Sequence, residues 1–564
     1  MKLKSTIDAI ISKALHSANI QNPNLSVTKA AKKEFGDFQY NGAMGLAKKL
    51  QTNPREIATS ITTHIDAEII EKVEIAGAGF INIWLKNSWL SSELKKISQD
   101  ECLGIEKAQT KENIIVDYSG PNMAKEMHVG HLRSTIIGDT LANLFEFLGH
   151  NVIRQNHIGD WGTQFGMLVA YLEELQSSGD FQENLKDLEE FYKLAKKRFD
   201  EDAAFADKAR EYVVKIQSGD AHCLKLWKRF IDISLAHCEE VYQKLHIKLT
   251  RDDVKAESYY NDMLSQVVQK LDAMSMLSVS EGAKCVFLPF SDIPLIVQKS
   301  DGGYLYATTD LGALWYRNDT LKADKILYVV DARQNEHFKS VFWVAKEAKM
   351  VRDDVVLKHI AFGTMMNEQG KPFKTRDGGT LKLTDLIDEA IIRAKNTLKD
   401  KEDAQGIEHK AKTIGIGALK YADLSVNRES NYIFNWDRML SFDGNTALYM
   451  QYAYARIQSI IRKYVGTFDG DIKIESESER ALALALLDFE DVLYKSAHEC
   501  MPNHITGYLY ELATLFMRFY EQSPILKEGI DGETKISRLL LSKITADTIK
   551  QGLAILGIET LEQI

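Results

Sequence analysis

Apolar residues recur at helical spacing at both ends of the chain. Near the N-terminus such residues fall on one helix face with polar residues between them, which predicts an amphipathic helix. They are Ile7, Ile10, Ile11 and Leu15. From about residue 445 to the C-terminus the spacing is again helical and predicts an all-helical domain. Residues 171–250 are charged and helical in pattern, and we interpret them as an insertion or a helical layer.

Strand-like patterns lie between these helical regions. Residues 73–85 include alternating apolar and polar positions after a turn at Gly77 and Gly79, which predicts a half-buried strand. Apolar runs typical of strands also occur at residues 325–331 and 358–363. These runs add β-structure to a chain whose ends are helical.

A strand–loop–helix–strand pattern begins at Ile114. The short apolar run IIVDY is typical of a buried parallel strand, and a helical pattern over residues 132–150 follows a Gly-Pro turn. Gly149 occupies the position expected just after a helix, and the next strand-like run starts at Asn151. This order predicts a βαβ unit of a parallel sheet.

Length and composition narrow the class of protein. A chain of 564 residues is expected to form two to four domains, and 45% hydrophobic with 27% charged residues is typical of a soluble globular protein. No apolar run reaches the roughly 20 residues needed to cross a bilayer, and the N-terminus lacks a continuous apolar stretch. We therefore expect a cytoplasmic protein without a membrane partner. The net charge of −10 neither supports nor excludes a nucleic-acid partner.

The five cysteines are scattered and form no CxxC pair, which favours a reducing compartment. Two His-Cys pairs, His222-Cys223 and His237-Cys238, resemble metal ligands at first sight. On a helix they would lie about four turns apart, too far for one tetrahedral ion. We therefore expect no structural metal.

The strongest chemical signal is His128-Val129-Gly130-His131, where the loop after the first strand meets the helix. A helix N-terminus offers unpaired amides and the positive end of the dipole, Gly130 permits close approach of a nucleotide, and both imidazoles can donate to phosphate. A basic segment, Lys371 to Gly379, could clamp a polyphosphate as a mobile loop. Either cluster alone also fits a solvated surface, but together they suit attack of a carboxylate on the α-phosphate of ATP.

The segment from Asp117 to Gly166 resembles the signature of class I arginyl-tRNA synthetases, in which HVGH stands for the HIGH motif. The resemblance covers nearly the whole chain. KEFGDFQYN and AGAGFINIWL are similar to the family's N-terminal domain, GNTALYMQYAYARIQSI to the start of its helical anticodon-binding domain, and LGIETLEQI to its C-terminus.

The resemblance implies an arginine-binding pocket residue by residue. In the segment that holds the amino-acid end it assigns Asp117, Ser119 and Asn122. It assigns Glu257, Tyr306 and Asp310 to the guanidinium and Gln334 to a further substrate contact. The residue types suit this ligand because a guanidinium is planar, always charged and carries five donors. Any one of these acids alone would be read as a surface ion pair.

The resemblance also implies an ATP site with one departure from the family. His128, Gly130 and His131 would bind ATP, and the family's KMSKS loop is here KPFKT, with lysines kept at Lys371 and Lys374. In members that lack the second lysine, the lysine before HIGH is thought to substitute, and Lys125 occupies that position. Which of Lys125 and Lys374 serves the departing pyrophosphate stays open.

In the C-terminal region Tyr449, Tyr452 and Arg456 match family positions near the anticodon loop. Their spacing puts them on one helix face, where aromatic rings and an arginine can stack on unpaired bases. The rival interpretation is a stripe of core residues.

We therefore predict an α/β multidomain protein with three parts. These are a small N-terminal α/β domain contacting the tRNA elbow (1–105), a Rossmann-type parallel-sheet catalytic domain with helical insertions (106–440) and an all-α anticodon-binding bundle (441–564). The predicted reaction joins L-arginine to tRNA(Arg) through an arginyl-adenylate, with Mg²⁺-ATP as substrate. The resemblance also implies a monomer that requires tRNA before it forms the adenylate.

Three alternatives remain at the level of sequence. Another class I ligase, such as one for cysteine, is disfavoured because no cysteines are placed as zinc ligands and the pocket positions are acidic. A smaller HxGH nucleotidyltransferase would leave both terminal regions without a role. A non-catalytic tRNA-binding paralogue is disfavoured by the intact histidines and pocket acids.

Overall fold

The computed structural model describes residues 3–20, 27–66, 68–178, 188–371, 381–398 and 404–564. The chain divides into two compact units. Unit 1 contains residues 1–107, 442–554 and 559–564, and unit 2 contains residues 108–441 and 555–558. Each is described separately below.

The N-terminal part of unit 1 is a small α/β structure. Its elements are α1 (Leu3–Ser17), β1 (Val27–Lys29), β2 (Phe38–Tyr40), α2 (Ala43–Leu50), α3 (Pro54–Thr62), β3 (Ile70–Ala76), β4 (Phe80–Leu85) and α4 (Asn87–Ser98). The strands form an antiparallel sheet in the order β1-β2-β4-β3. Helix α1 buries Ile7, Ile11 and Leu15, which confirms the predicted amphipathic helix, although Ile10 is only partly buried. The predicted strand at residues 73–85 is a β3–β4 hairpin.

Unit 2 contains a parallel sheet with helices around it. Its first elements are β5 (Asn113–Asp117), α5 (Leu132–Phe147) and β6 (Asn151–Gln155), which confirm the predicted βαβ unit. Gly149 has a φ of 94°, as expected for the residue that follows the helix. The helices α6 (Thr163–Ser178), α7 (Leu188–Glu201), α8 (Ala203–Gln217) and α9 (Ala221–Lys244) confirm the helical pattern in the described part of residues 171–250.

The rest of unit 2 completes this sheet and adds a second one. Its elements are α10 (Asn261–Ala273), β7 (Ser278–Ser280), β8 (Ala283–Leu288), β9 (Ser291–Gln298), α11 (Tyr306–Asp319), β10 (Lys325–Tyr328), α12 (Asn335–Glu347), β11 (Val356–His359), β12 (Met365–Met366), α13 (Leu383–Leu398), α14 (Ala404–Leu424), β13 (Tyr432–Ile433) and α15 (Trp436–Met439). The parallel sheet has the order β11-β10-β5-β6. Strands β10 and β11 are shorter than predicted, and the antiparallel sheet β7-β8-β9 was not predicted.

Helix α5 lies very close to the end of strand β5. A Cβ atom at Gly138 would come within 2.2 Å of the Cβ of Tyr118, so only glycine fits there. The Tyr118 hydroxyl donates to Asp139 Oδ1 at 3.0 Å, beside this contact. Packing and hydrogen bonding together hold the helix against the loop that follows β5.

The C-terminal part of unit 1 is helical, as predicted. Its elements are α16 (Ala447–Lys463), α17 (Glu477–Leu487), α18 (Phe489–Glu499), α19 (Asn503–Gln522) and α20 (Gly532–Ile555). Within unit 1, Arg480 of α17 donates to Asp37 Oδ2 at 2.6 Å and to the Leu85 carbonyl at 2.9 Å. In the part of the chain that the structure describes, no helix is long and apolar enough to cross a membrane.

Candidate active site

A cavity of about 1030 Å³ opens in unit 2 at the carboxyl ends of β5 and β10. Ligand sites in parallel α/β sheets are expected at this edge. The cavity brings together nine of the residues that the sequence analysis assigned to ATP or arginine. These are Asp117, Ser119, His128, Gly130, His131, Glu257, Tyr306, Asp310 and Gln334. We call His128, Gly130 and His131 the histidine end and Glu257, Tyr306 and Asp310 the acidic end.

At the histidine end, both rings are fixed by backbone amides. The amide of Gly130 donates to His128 Nδ1 at 3.0 Å, and the amide of His128 donates to His131 Nδ1 at 3.1 Å. Because Nδ1 of each ring accepts a hydrogen bond, each neutral ring carries its proton on Nε2. The ring centroids are 4.1 Å apart. The turn Val129–His131 leads directly into α5, so helix N-terminal amides lie beside two N–H donors.

The electrostatics of the histidine end fix the charge with which the two imidazoles can meet a phosphate. Burial, and to a lesser extent the neighbouring His128, lower the pKa of His131 to about 3. Burial also lowers the pKa of His128, as does the charge of Lys125. Near neutral pH the two rings are therefore neutral hydrogen-bond donors.

The acidic end gathers carboxylates close enough to affect the pKa of Glu257. Burial, then the charges of Asp160 and Asp310, raise the pKa of Glu257 to about 7. Asp160 accepts hydrogen bonds from the amide of Ser258 at 3.0 Å and from its hydroxyl at 2.5 Å. Asp310 accepts one from His337 Nε2 at 2.7 Å. The arrangement suits a planar cation that brings several N–H donors.

The Tyr306 side chain is exposed at the mouth of this end, and its ring lies 4.9 Å from that of His337. Gln334 lines the same cavity and is exposed. Both residues can therefore be reached by a ligand that enters the acidic end.

The loop after β5 contributes Asp117 and Ser119 in an unusual conformation. Ser119 has a φ of 71° and Gly120 a φ of 50°, so two successive residues are left-handed. The Ser119 hydroxyl lies 2.8 Å from the Tyr242 hydroxyl, and its amide donates to Ser134 Oγ at 2.9 Å. The reversal lets the chain leave the sheet edge and form one wall of the cavity.

Some predicted site residues do not line the cavity. Asn122 uses its side-chain oxygen to accept a hydrogen bond from the Ala124 amide at 3.0 Å. The Lys125 ammonium lies 4.7 Å from the centroid of the Tyr192 ring. Lys371 is exposed, and its backbone amide donates to Asn367 Oδ1 at 2.9 Å. Lys374 and the rest of residues 372–380 lie outside the described residues.

In unit 1, the three residues assigned to the anticodon lie on one face of α16. All three are half-buried and outside the fully buried set of that helix, so they do not form a stripe of fully buried core residues. The Arg456 guanidinium donates to the Tyr452 hydroxyl at 3.4 Å and lies 4.8 Å from the centroid of the Tyr520 ring. Tyr449 packs edge-on against Tyr510, with 5.8 Å between ring centroids.

Family models match this chain in three consecutive stretches. Residues 1–85 match the arginyl-tRNA synthetase N-terminal domain, residues 93–436 the catalytic domain of class I (R) tRNA synthetases, and residues 450–564 the DALR anticodon-binding domain. The arginine–tRNA ligase of Cellvibrio japonicus is 54% identical over 95% of each chain, and that of Laribacter hongkongensis is 52% identical over 100% of each. The chain belongs to the arginyl-tRNA synthetase family. The Plasmodium falciparum arginyl-tRNA synthetase structure covers 100% of both chains at 32% identity and a TM-score of 0.89.

Membership of the arginyl-tRNA synthetase family confirms the resemblance and the predicted fold class. Two residues at the acidic end, Asp160 and His337, were not predicted from the sequence. Asp160 lies within the segment that resembles the family signature, but the resemblance assigned it no role. His337 lies three residues after Gln334, and nothing local signals that it contacts Asp310, 27 residues earlier. The His-Cys pairs remain apart: His222 contacts Glu173 at 2.7 Å, and no metal-binding group of three or more side chains occurs among the described residues.

Proposed function

We infer that this protein is an arginine–tRNA ligase, an enzyme that uses ATP to join L-arginine to tRNA(Arg). One observation carries the inference: a single cavity has neutral phosphate donors at one end and a carboxylate cluster at the other. A reaction between an amino acid with a cationic side chain and a nucleotide needs both ends within one site.

The acidic end holds the guanidinium of arginine. Glu257 and Asp310 accept its N–H groups, with the Tyr306 hydroxyl and Gln334 as further contacts. Lysine would bring a point charge with fewer donors in a different geometry, so part of this hydrogen-bonding capacity would stay unused. Asp117, Ser119 and Asn122 belong to the segment that holds the amino-acid end.

The histidine end serves the first chemical step. The carboxylate of arginine attacks the α-phosphorus of ATP, a new P–O bond forms, and the bond to the β-phosphate oxygen breaks, giving arginyl-adenylate and pyrophosphate. His128 and His131 donate their Nε2–H groups to phosphate oxygens, and Gly130 lets the nucleotide approach the backbone. The nucleophile is already ionised, so this step needs no strong general base.

The charge on the departing pyrophosphate is met by cations. We assign this role to Mg²⁺, which enters with ATP, and to Lys125, Lys371 and Lys374. The effect of Lys125 on the pKa of His128 supports its proximity to the histidine end. Lys371 begins the KPFKT segment, which also carries Lys374.

In the second step, the 2′-hydroxyl of the terminal adenosine of tRNA(Arg) attacks the carbonyl carbon of the adenylate. Arg-tRNA forms, and AMP leaves. We propose that the N-terminal region (1–105) contacts the tRNA elbow and that Tyr449, Tyr452 and Arg456 contact the anticodon loop. The half-exposed rings on α16 support this assignment because unpaired bases stack on such side chains.

We propose three functional regions. The N-terminal region (1–105) and the C-terminal region (441–564) bind tRNA, and the central region (106–440) carries out catalysis. We propose a monomer in the cytoplasm. Five cysteines without disulfides, four of them buried, support a reducing compartment.

The test is arginine-dependent exchange of pyrophosphate into ATP, measured with and without tRNA(Arg) and with lysine in place of arginine. We expect exchange with arginine and tRNA present, and none with lysine. Exchange without tRNA would keep the ligase and remove the tRNA requirement. A folded sample that binds tRNA(Arg) but gives no exchange under any condition would instead indicate the non-catalytic paralogue.

A further inference from the structure

Arg317 is a fully buried cation next to the acidic end, and it does not line the cavity itself. Its Nε donates to Gln155 Oε1 at 2.6 Å, and its Nη2 donates to Asp117 Oδ2 at 2.7 Å. The guanidinium carbon lies 4.8 Å from the centroid of the Tyr328 ring. One side chain therefore contacts three residues that are far apart in the sequence.

Those three residues form one row across the parallel sheet. Asp117 of β5 pairs with Gln155 of β6 on one side and with Tyr328 of β10 on the other. Each is the last residue of its strand. The Arg317 guanidinium therefore spans the carboxyl edge of the sheet, where the cavity opens.

Helix α11 connects this row to the acidic end. Tyr306, Asp310 and Arg317 are four and seven residues apart, so they lie on one face of the helix. The rise from Asp310 to Arg317 is about 10 Å along the axis. Because an α-helix is stiff over two turns, fixing Arg317 to the sheet edge also fixes the distance of Asp310 from Asp117.

We propose that Arg317 is a positioning residue that sets the separation between the two ends of the arginine site and so the length of amino acid that fits. The proposal rests on the proposed function. Asp310 at one end contacts the guanidinium and Asp117 at the other belongs to the segment that holds the amino-acid end. Arg317 acts through both and touches no substrate atom.

Lysine cannot replace Arg317 in this role. A guanidinium is planar and sends separate N–H groups to Gln155 and Asp117 at fixed angles, whereas an ammonium on a flexible stem is a point charge. Arg317→Lys keeps the charge that neutralises Asp117 but removes the fixed, simultaneous hydrogen bonds to Gln155 and Asp117. The variant therefore separates a positioning role from simple charge balance.

The experiment compares arginine with homoarginine, which is one methylene longer, in tRNA-dependent aminoacylation by the full-length enzyme. In Arg317→Lys we expect the KM for arginine to rise about tenfold, with kcat and the KM for ATP within about threefold of the starting enzyme. The preference for arginine over homoarginine, as a ratio of kcat/KM, should fall by at least about fivefold. A loss of folding alone lowers both rates and leaves this ratio unchanged.

The matched control is Arg538→Lys, which alters another arginine–carboxylate pair, between the partly buried Arg538 and the buried Glu479 at 2.9 Å in unit 1. It should leave the amino-acid preference unchanged. If Arg317→Lys does not fold, Gln155→Met removes one of the two anchors, and the same shift in preference is expected in smaller measure. An unchanged preference in the folded variant overturns the proposal. No arginine-dependent activity in the unmodified enzyme would instead overturn the proposed function.

Discussion

The histidine end and the acidic end of the cavity are shaped by the same physical effect with different consequences. Burial favours the neutral form in both places: it lowers the pKa of His128 and His131 and raises that of Glu257. A neutral imidazole already donates to phosphate, so the histidine end is ready to bind without a change of protonation. Glu257 must release its proton to face a guanidinium as a carboxylate. The two ends should therefore respond differently to mutation and to pH.

The largest effect is expected at the acidic end. Asp310→Asn removes a largely buried charge that faces the substrate guanidinium, and breaking a buried pair costs about 3–5 kcal/mol. We expect kcat/KM for arginine to fall roughly a hundredfold or more, and the KM for ATP to change by less than about threefold. Steady-state pyrophosphate exchange measures both. Asp319→Asn, at an exposed position on the same helix, serves as the control and should be silent. Equal losses for arginine and ATP would contradict the separation of the two ends.

At the histidine end the loss should appear in kcat. His131→Asn removes an N–H donor to the phosphate, and removal of one such preorganised donor costs about a hundredfold. We expect kcat for exchange to fall by that factor while direct binding of arginine, followed by calorimetry, stays within about threefold. His150→Asn is the matched control because His150 follows the other end of α5, outside the cavity. A purely arginine-binding defect in His131→Asn would count against the assignment.

The two ends should also differ in how ligand binding depends on pH. Above pH 7 Glu257 is ionised and arginine binds fully; below pH 7 binding must displace a proton, so affinity should fall by up to about tenfold per pH unit. Calorimetry at pH 6 in two buffers of different ionisation enthalpy should detect close to one proton released. Glu257→Gln should bind arginine more weakly and without this slope. Between pH 6 and 8 the KM for ATP should not follow the same curve, because His131, with a pKa of about 3, stays neutral over this range.

The smallest effect is expected in unit 1, none of whose described residues is among those that line the cavity. Tyr452→Ala removes a half-exposed ring from α16, and the loss of one base–aromatic stack costs about 1–3 kcal/mol. We expect kcat/KM for tRNA(Arg) to fall about tenfold, with arginine binding unchanged. Tyr464→Ala, just after the same helix, is the control. With a tRNA transcript whose anticodon is changed, Tyr452→Ala and the unmodified enzyme should give the same kcat/KM.

Local patterns predicted most of the fold because they repeat over short stretches. The β5–α5–β6 unit was readable since β5 contains the apolar run Ile114–Val116 and its helix is followed by Gly149. The sheet β7-β8-β9 was missed for a physical reason. Its strands carry exposed apolar residues, with Val279 74% and Ile293 78% exposed, and its register shifts twice between β8 and β9. Both features remove the regular alternation by which a strand is recognised.

The site was predictable where a residue carries its own chemistry and not where a contact defines it. His128 and His131 are only three residues apart in the sequence and could be found as a motif. Arg317 contacts Asp117, which is 200 residues earlier in the sequence. Within α11, Arg317 occupies a position that looks like any polar position of a helix, so the sequence alone does not signal this contact. That the histidines are neutral also depends on burial, which single-sequence reasoning does not reveal.

The close contact at Gly138 has a consequence for how this enzyme can be altered. Gly138 lies seven residues after His131 on α5, and even a methyl group there would meet Tyr118, which precedes the left-handed pair Ser119 and Gly120. To make room, the helix would have to move off the sheet and carry both imidazoles with it. Libraries that seek new substrate preferences can target the acidic end, but they should hold this glycine constant, since an enlargement remote from the ligands would disturb the phosphate site.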